Sequence, residues 1–213
     1  MSNLILVNKQ NGIKDEHIPT DLDSCDKDGN EHFKYNQKLR REACIEFLKL
    51  RRDAIKSHYD IYAFSGFRTD VQQREIFKSN LNANFQVLKK EFPYESDEKL
   101  YQTAYELTAQ KVALPGHSEH QIGLAVDIAC FYRENYDEDI SNDEEVDWMR
   151  KNACNYGYIL RYPKGKEDIT GFKYEPWHYR YVGEEYSHDF YDNDLTLEEY
   201  HKRLDEILES IGE

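Results

Sequence analysis

Two short segments, well separated along the chain, carry side chains that could hold a metal ion and work on a carbonyl. One reads Ser118-Glu-His120-Gln-Ile-Gly123-Leu-Ala125-Val-Asp127 and the other Glu175-Pro-Trp-His178. Together they supply two imidazoles and one carboxylate as metal ligands, plus a second carboxylate beside the later imidazole. Hydrolysis of an amide with zinc needs three protein ligands, an open position for water and a base to take the water's proton. Alone, a histidine or aspartate in a strand is usually a satisfied or exposed polar residue. The conjunction raises the odds, because a hydrophobic strand gains nothing by carrying Asp127 inward. A buried carboxylate costs about several kcal/mol unless it is paired or metal-bound.

The surrounding elements must position these groups. Gly123 and the β-branched Ile122, Val126 and Ile128 oppose a continuous helix. The spacing predicts a loop carrying His120, a turn near Gly123 and a strand Leu124–Ala129. Asp127 then shares a face with Ala125 and Ala129, whose small side chains leave room for an ion, while Leu124, Val126 and Ile128 face the core. Phe172–Val182 reads as a strand bearing Glu175 and His178. Pro176 cannot donate to a ladder, which predicts an edge position or a bulge, and a bulge would let Glu175 and His178 converge. Ile61–Phe67 reads as a further strand, with Thr69 or Asp70 capping a helix Val71–Lys78. Arg68 then stands at a strand's carboxyl end, where loops build sites; the plainer role for such an arginine is an ion-paired cap.

With these residues in view, the chain resembles the zinc D-Ala-D-Ala metallopeptidases of the VanY, VanX and VanXY group, which share a fold with the hedgehog signalling domain. The pattern Ser-x-His-x(6)-Asp followed by Glu-x-x-His is met at Ser118, His120, Asp127, Glu175 and His178. Further similarity lies in Ser65-Gly-Phe-Arg68-Thr with Gln73, in Leu114-Pro-Gly-His-Ser-Glu-His, in Asn155-Tyr-Gly-Tyr-Ile-Leu-Arg-Tyr-Pro163 and in Tyr174-Glu-Pro-Trp-His-Tyr-Arg-Tyr-Val-Gly183. In detail the chain is most similar to the VanXY type, a soluble dual D,D-dipeptidase and D,D-carboxypeptidase. The resemblance implies that His120, Asp127 and His178 hold Zn²⁺. It implies Glu175 as the general base that activates water and then the acid that protonates the leaving amine. It implies Arg68 as the stabiliser of the developing oxyanion, with Ser118 and Gln73 binding the substrate's terminal region. The implied substrates are the D-Ala-D-Ala dipeptide and muramyl pentapeptide precursors. An L,D-carboxypeptidase acting on tetrapeptide would use the same residues, and a hedgehog-like module would hold zinc for structure alone.

The rest of the chain bounds these readings. A chain of 213 residues suits one domain, 1–213, able to bury roughly 70% of its unfolded surface. Hydrophobic content is 39%, with 17 Tyr and 10 Phe to fill a core. The net charge of −14 argues against nucleic acid or anionic membranes as partners. Acidic runs at Glu91–Glu98, Glu134–Asp147 and Glu184–Asp194 read as solvated faces. Asp26-Lys-Asp28-Gly-Asn30 comes nearest to a calcium loop but lacks the distal glutamate in register. Cys25, Cys44, Cys130 and Cys154 form no Cys-x-x-Cys pair and read as reduced thiols. No signal or membrane anchor is visible, which with the VanXY resemblance predicts a cytoplasmic enzyme, and no protein partner is implied.

Periodicity and punctuation predict a short first strand Leu4–Asn8, helices Asn36–Ser57, Asp97–Ala113 and Asp143–Tyr156, a return to the sheet at Tyr158–Arg161 and a terminal helix Leu195–Ile211. Asn80–Ser96 reads as a connection between helices long enough to flap over a cleft, and Lys164–Gly171 as a polar loop directly before the Glu175 strand. The expected architecture is α+β, a small mainly antiparallel sheet flanked by helices.

Overall fold

The computed structural model describes residues 2–13, 18–25, 37–130 and 144–212. At its centre lie four antiparallel strands, β3 (Ile61–Ser65), β4 (Ala125–Cys130), β5 (Tyr158–Leu160) and β6 (His178–Tyr181), in the order β3-β4-β6-β5. A two-stranded ribbon pairs β1 (Leu22–Ser24) with β2 (Lys38–Arg40). The helices are α1 (Arg41–Lys56), α2 (Asp70–Glu91), α3 (Asp97–Ala109), α4 (Glu144–Asn152), α5 (Glu167–Thr170), α6 (Glu184–Asp192) and α7 (Leu197–Gly212). Short 3-10 turns occupy Glu119–Ile122 and Ala153–Tyr156. Helices around an antiparallel sheet make this the α+β class expected. Among the described residues no helix is long and apolar enough to cross a membrane.

The sheet register sorts the side chains by alternation. Val126 pairs with Tyr179, and Tyr158 with Tyr181, and these residues pack in one cluster with Ala43, Phe47, Leu50 and Ala54 of α1. Asp127 pairs with His178 and Ala125 with Arg180, so the polar residues share the opposite face. Two smaller clusters build outward. Phe77, Leu81 and Leu88 of α2 meet Leu100 and Ala104 of α3, and Leu197 and Tyr200 of α7 meet Ile159, Val182 and Phe190.

Several expectations are corrected. Leu4–Asn8 forms no strand. The first helix begins at Arg41, because residues 38–40 pair with β1 instead. The helix after Arg68 has the expected cap, since Thr69 Oγ1 accepts from Gln72 N and the Gln72 side chain returns the bond. It then runs on to Glu91, so Asn80–Ser96 is mostly helix rather than a flap. The cause is tertiary: Leu81 and Leu88, with Phe85 beside them, find an apolar partner in α3, and burial of that seam outweighs the weak helix propensity of the asparagines. α3 in turn stops at Ala109, short of Ala113. The Lys164–Gly171 connection contains the single-turn α5. Cys25, Cys44 and Cys154 are buried. Asp26–Asn30, residues 134–143 of the second acidic run and the Cys130 side chain lie outside the described residues.

Candidate active site

Three adjacent strands and two loops bring the candidate residues together. Ser65, Asp127 and His178 stand in one row across β3, β4 and β6. A register shift between Ala63 and Ser65 ends β3's regular pairing at this row and starts the Gly66–Arg68 loop. That loop is laced to the other, since Arg68 N donates to His120 O at 3.1 Å. Gly123, at φ 69°, caps the 3-10 turn that holds His120 and sends the chain into β4.

The Glu175 segment is not the strand expected. β6 begins at His178 and lies inside the sheet, so Pro176 sits neither on an edge nor in a bulge. Glu175–His178 is a tight turn, closed by His178 N donating to Glu175 O at 3.1 Å. Proline's fixed φ suits the second position of such a turn. The turn folds Glu175 back over the strand end, with its Oε2 3.9 Å from His178 Nδ1.

His120, Asp127 and His178 each offer a ligand atom, and these atoms lie within 4.8 Å of one another, all buried. His120 Nδ1 is 2.7 Å from Gly66 O. A carbonyl oxygen only accepts, so Nδ1 carries the proton and the Nε2 lone pair faces Asp127 Oδ2 at 3.2 Å. His178 Nδ1 is 2.9 Å from Asp127 Oδ1, and the two rings stand nearly perpendicular at 81°. Two imidazole nitrogens and a carboxylate oxygen converging from different elements are donors that zinc accepts, and the set fits it.

Arg68 reaches the same carboxylate. Its terminal nitrogens donate to Asp127 Oδ2 at 2.7 Å and Gln73 Oε1 at 3.4 Å, and its Nε donates to Ser65 Oγ at 2.9 Å. Gln73 is buried and also donates to Ala113 O at 2.8 Å, so its amide orients Arg68 and the cleft wall. Ser118 is buried beside His120 and lines the same cleft. Phe64, Ile76, Lys111 and Trp177 form its outer walls.

Electrostatics separate the roles of the ionisable groups. Burial, with Asp127's charge, pushes Glu175 up to about 7 against the pull of His178 and Arg68. Burial, then Arg68, holds His120 down to about 4. Burial opposes charge on Asp127 and His178 as well. Contacts with His120, His178 and Arg68 outweigh it and keep Asp127 well below the carboxylate range. The hydrogen bond to Asp127, with the nearby Glu119 carboxylate, outweighs it at His178, raising that imidazole to about 9. The site is therefore one that favours positive charge between Asp127 and His178, with a proton-accepting carboxylate alongside. Such an arrangement can polarise a carbonyl, and Glu175 can pass a proton.

Sequence reasoning missed Glu119, which lies buried behind His178, and passed over Gly66, whose carbonyl orients His120. Glu119 stood in the motif only as a spacer. Its signal was a pair of arginines, Arg161 and Arg180, set among aromatics in segments that must be buried.

A family described as VanY, D-alanyl-D-alanine carboxypeptidase, matches residues 36–184. The bifunctional D-Ala-D-Ala dipeptidase and D-Ala-D-Ala carboxypeptidase VanXYC of Enterococcus gallinarum is 35% identical, over 96% of this chain and 96% of its own. The structure of the LdcB LD-carboxypeptidase superposes with a TM-score of 0.75 at 35% identity, covering 92% of this chain and 84% of LdcB. A mutant of the vancomycin resistance D,D-pentapeptidase VanY, from a VanB-type cassette and in complex with Zn(II), superposes with a TM-score of 0.72 at 31% identity, covering 93% and 98%.

Proposed function

The chain belongs to the VanY family of D-alanyl-D-alanine carboxypeptidases, and we propose that it is a zinc-dependent D,D-peptidase acting as one domain. Its substrates would be the D-Ala-D-Ala dipeptide, the C-terminal D-Ala of peptidoglycan pentapeptide precursors, or both. The observation that carries the reading is the cross-strand pair Asp127–His178, with His120 completing a donor triangle and Glu175 3.9 Å from His178 Nδ1. His120, Asp127 and His178 would hold zinc, which when bound lowers the pKa of water and polarises the scissile carbonyl.

The side chains of the chain do the remaining work. Glu175 accepts the proton of the attacking water and returns it to the departing amine; its raised affinity for protons suits both steps at neutral pH. Arg68, fixed by Ser65 and Gln73, presents positive charge where the carbonyl oxygen gains negative charge. Ser118 and the Gln73 amide take the terminal region of the peptide. An inert zinc-holding module would have no use for a buried base beside an oriented arginine.

The likeness to LdcB favours a second reading, an L,D-carboxypeptidase that removes D-Ala from tetrapeptide. Purified protein incubated separately with D-Ala-D-Ala, pentapeptide and tetrapeptide separates the two. D-Ala release from the first or second supports the leading reading, and release from tetrapeptide alone rejects it. Glu175→Gln should lower kcat about 10²–10⁴-fold while zinc stoichiometry stays at that of the wild type. Near-normal kcat in that variant would remove Glu175 from the chemistry.

A further inference from the structure

One buried carboxylate takes no part in the chemistry above. Glu119 is 1% exposed. Its Oε1 accepts from Arg161 Nε at 2.8 Å and from an Arg180 terminal nitrogen at 2.6 Å. Its Oε2 is buried, makes no hydrogen bond among the described residues and lies 3.6 Å from His178 Nε2. His178 Nε2 is also buried and without a hydrogen-bond partner among the described residues. The other ring nitrogen, Nδ1, faces Asp127 and Glu175. One imidazole thus stands between the metal-binding carboxylate and a second carboxylate with a spare oxygen aimed at its far nitrogen.

We propose that Glu119 is the positioning residue for His178. In this reading, which rests on the zinc site proposed above, Glu119 Oε2 accepts a hydrogen bond from Nε2–H, which keeps that proton on Nε2 and holds the Nδ1 lone pair toward the metal. A ligating histidine commonly gives its other N–H to a carboxylate or carbonyl, which fixes the tautomer and the ring plane and strengthens the ligand nitrogen. The first imidazole already follows this rule through Gly66 O. The second has no carbonyl in that place and has Glu119 instead.

The surroundings keep Glu119 ionised and still. Arg161 is also gripped by Glu198 of α7, at 2.8 and 2.6 Å, and Arg180 donates to the carbonyls of Asn3 and Ile5 at 2.9 and 2.8 Å. Two guanidiniums then face two carboxylates, so the buried charges balance within the network. Neutralising the arginines needs only Oε1 of Glu119. It gives no reason for Oε2 to point at an imidazole nitrogen that has no other acceptor.

Glu119→Gln separates these roles. The amide oxygen can still serve the arginines, but an amide NH2 facing Nε2–H sets donor against donor. The folded variant should bind zinc about 10–100-fold more weakly than wild type, read by competition with a chromophoric chelator. Unchanged zinc affinity in a folded Glu119→Gln protein would overturn the proposal. Because loss of this charge could unfold the chain, a second measurement uses the wild type itself. Nitrogen-15 NMR of the zinc-loaded protein should show a slowly exchanging proton on His178 Nε2 and a metal-shifted Nδ1. A proton on Nδ1, or metal on Nε2, would overturn it. Wild-type protein that takes up no stoichiometric zinc would instead defeat the metal-site reading on which this one stands.

Discussion

Arg68 is held at three points before any peptide arrives: by Ser65, by Gln73 and by Asp127. A lysine has the charge but not the rigid fork, and cannot meet three acceptors in one plane. Arg68→Lys should therefore fold normally yet lose about 10²-fold in kcat, measured by D-Ala release at saturating zinc. Retention of full kcat would show that charge alone suffices and that the fork is incidental. In the proposed mechanism Glu175 should carry the pH dependence of the rate. Burial raises its carboxyl to about 7, so the base form is depleted as the medium becomes acidic. A cation held nearby favours ionisation, which draws the acid limb of kcat/KM down from about 7 toward the ordinary carboxylate value near 4.5. Activity should thus rise with pH across that interval and flatten above it, and Glu175→Gln should erase the limb from its residual rate. A profile flat from pH 4 to 8 in the wild type would remove this group from the rate.

At the scale of elements, the site depends on how closely two loops can approach. A Cβ on Gly66 would lie 2.5 Å from Lys38 O, and Phe67 N donates to that same oxygen at 2.7 Å. Gly66→Ala should force the loop off β2 and carry Gly66 O away from His120 Nδ1. The expected loss is about 1–3 kcal/mol of stability together with weaker zinc binding, seen in Tm and in chelator competition. An unaltered Tm and zinc affinity would show that the loop has slack. Elements of this kind also mark what could be read in advance. The β4 alternation, the Gly123 turn and the Thr69 cap were legible, because each rests on backbone chemistry local to a few residues. The Glu175 turn was not, since an aromatic-rich stretch looks like strand until Pro176 is seen to close it. Nor was the second half of α2, whose helix is maintained by α3, or the β1–β2 ribbon, whose three-residue strands are too short to show an alternation. Glu119 escaped notice because its meaning lies in arginines more than forty residues onward.

The molecule as a whole carries a net charge of −14, while the candidate substrates end in a carboxylate. Inside the cleft the balance is different, since Arg68 and Lys111 line it together with Asp127 and Glu175. The two influences act over different distances. Screening reaches about 30 Å at 0.01 M salt but only about 8 Å at 0.15 M, so added salt silences the global charge before it weakens contacts within the cleft. A peptide of net negative charge should then be repelled on approach at low ionic strength and less so as salt rises. The expected result is an increase of about 2–5-fold in kcat/KM for an anionic pentapeptide between 0.01 and 0.15 M salt. The zwitterionic dipeptide, with little net charge for the distant field to act on, should change far less. Because approach rather than chemistry is affected, kcat at saturation should stay constant for both. A fall in kcat/KM for the anionic peptide would mean that the arginine and lysine of the cleft govern capture, and that the acidic surface lies turned away from the path of entry.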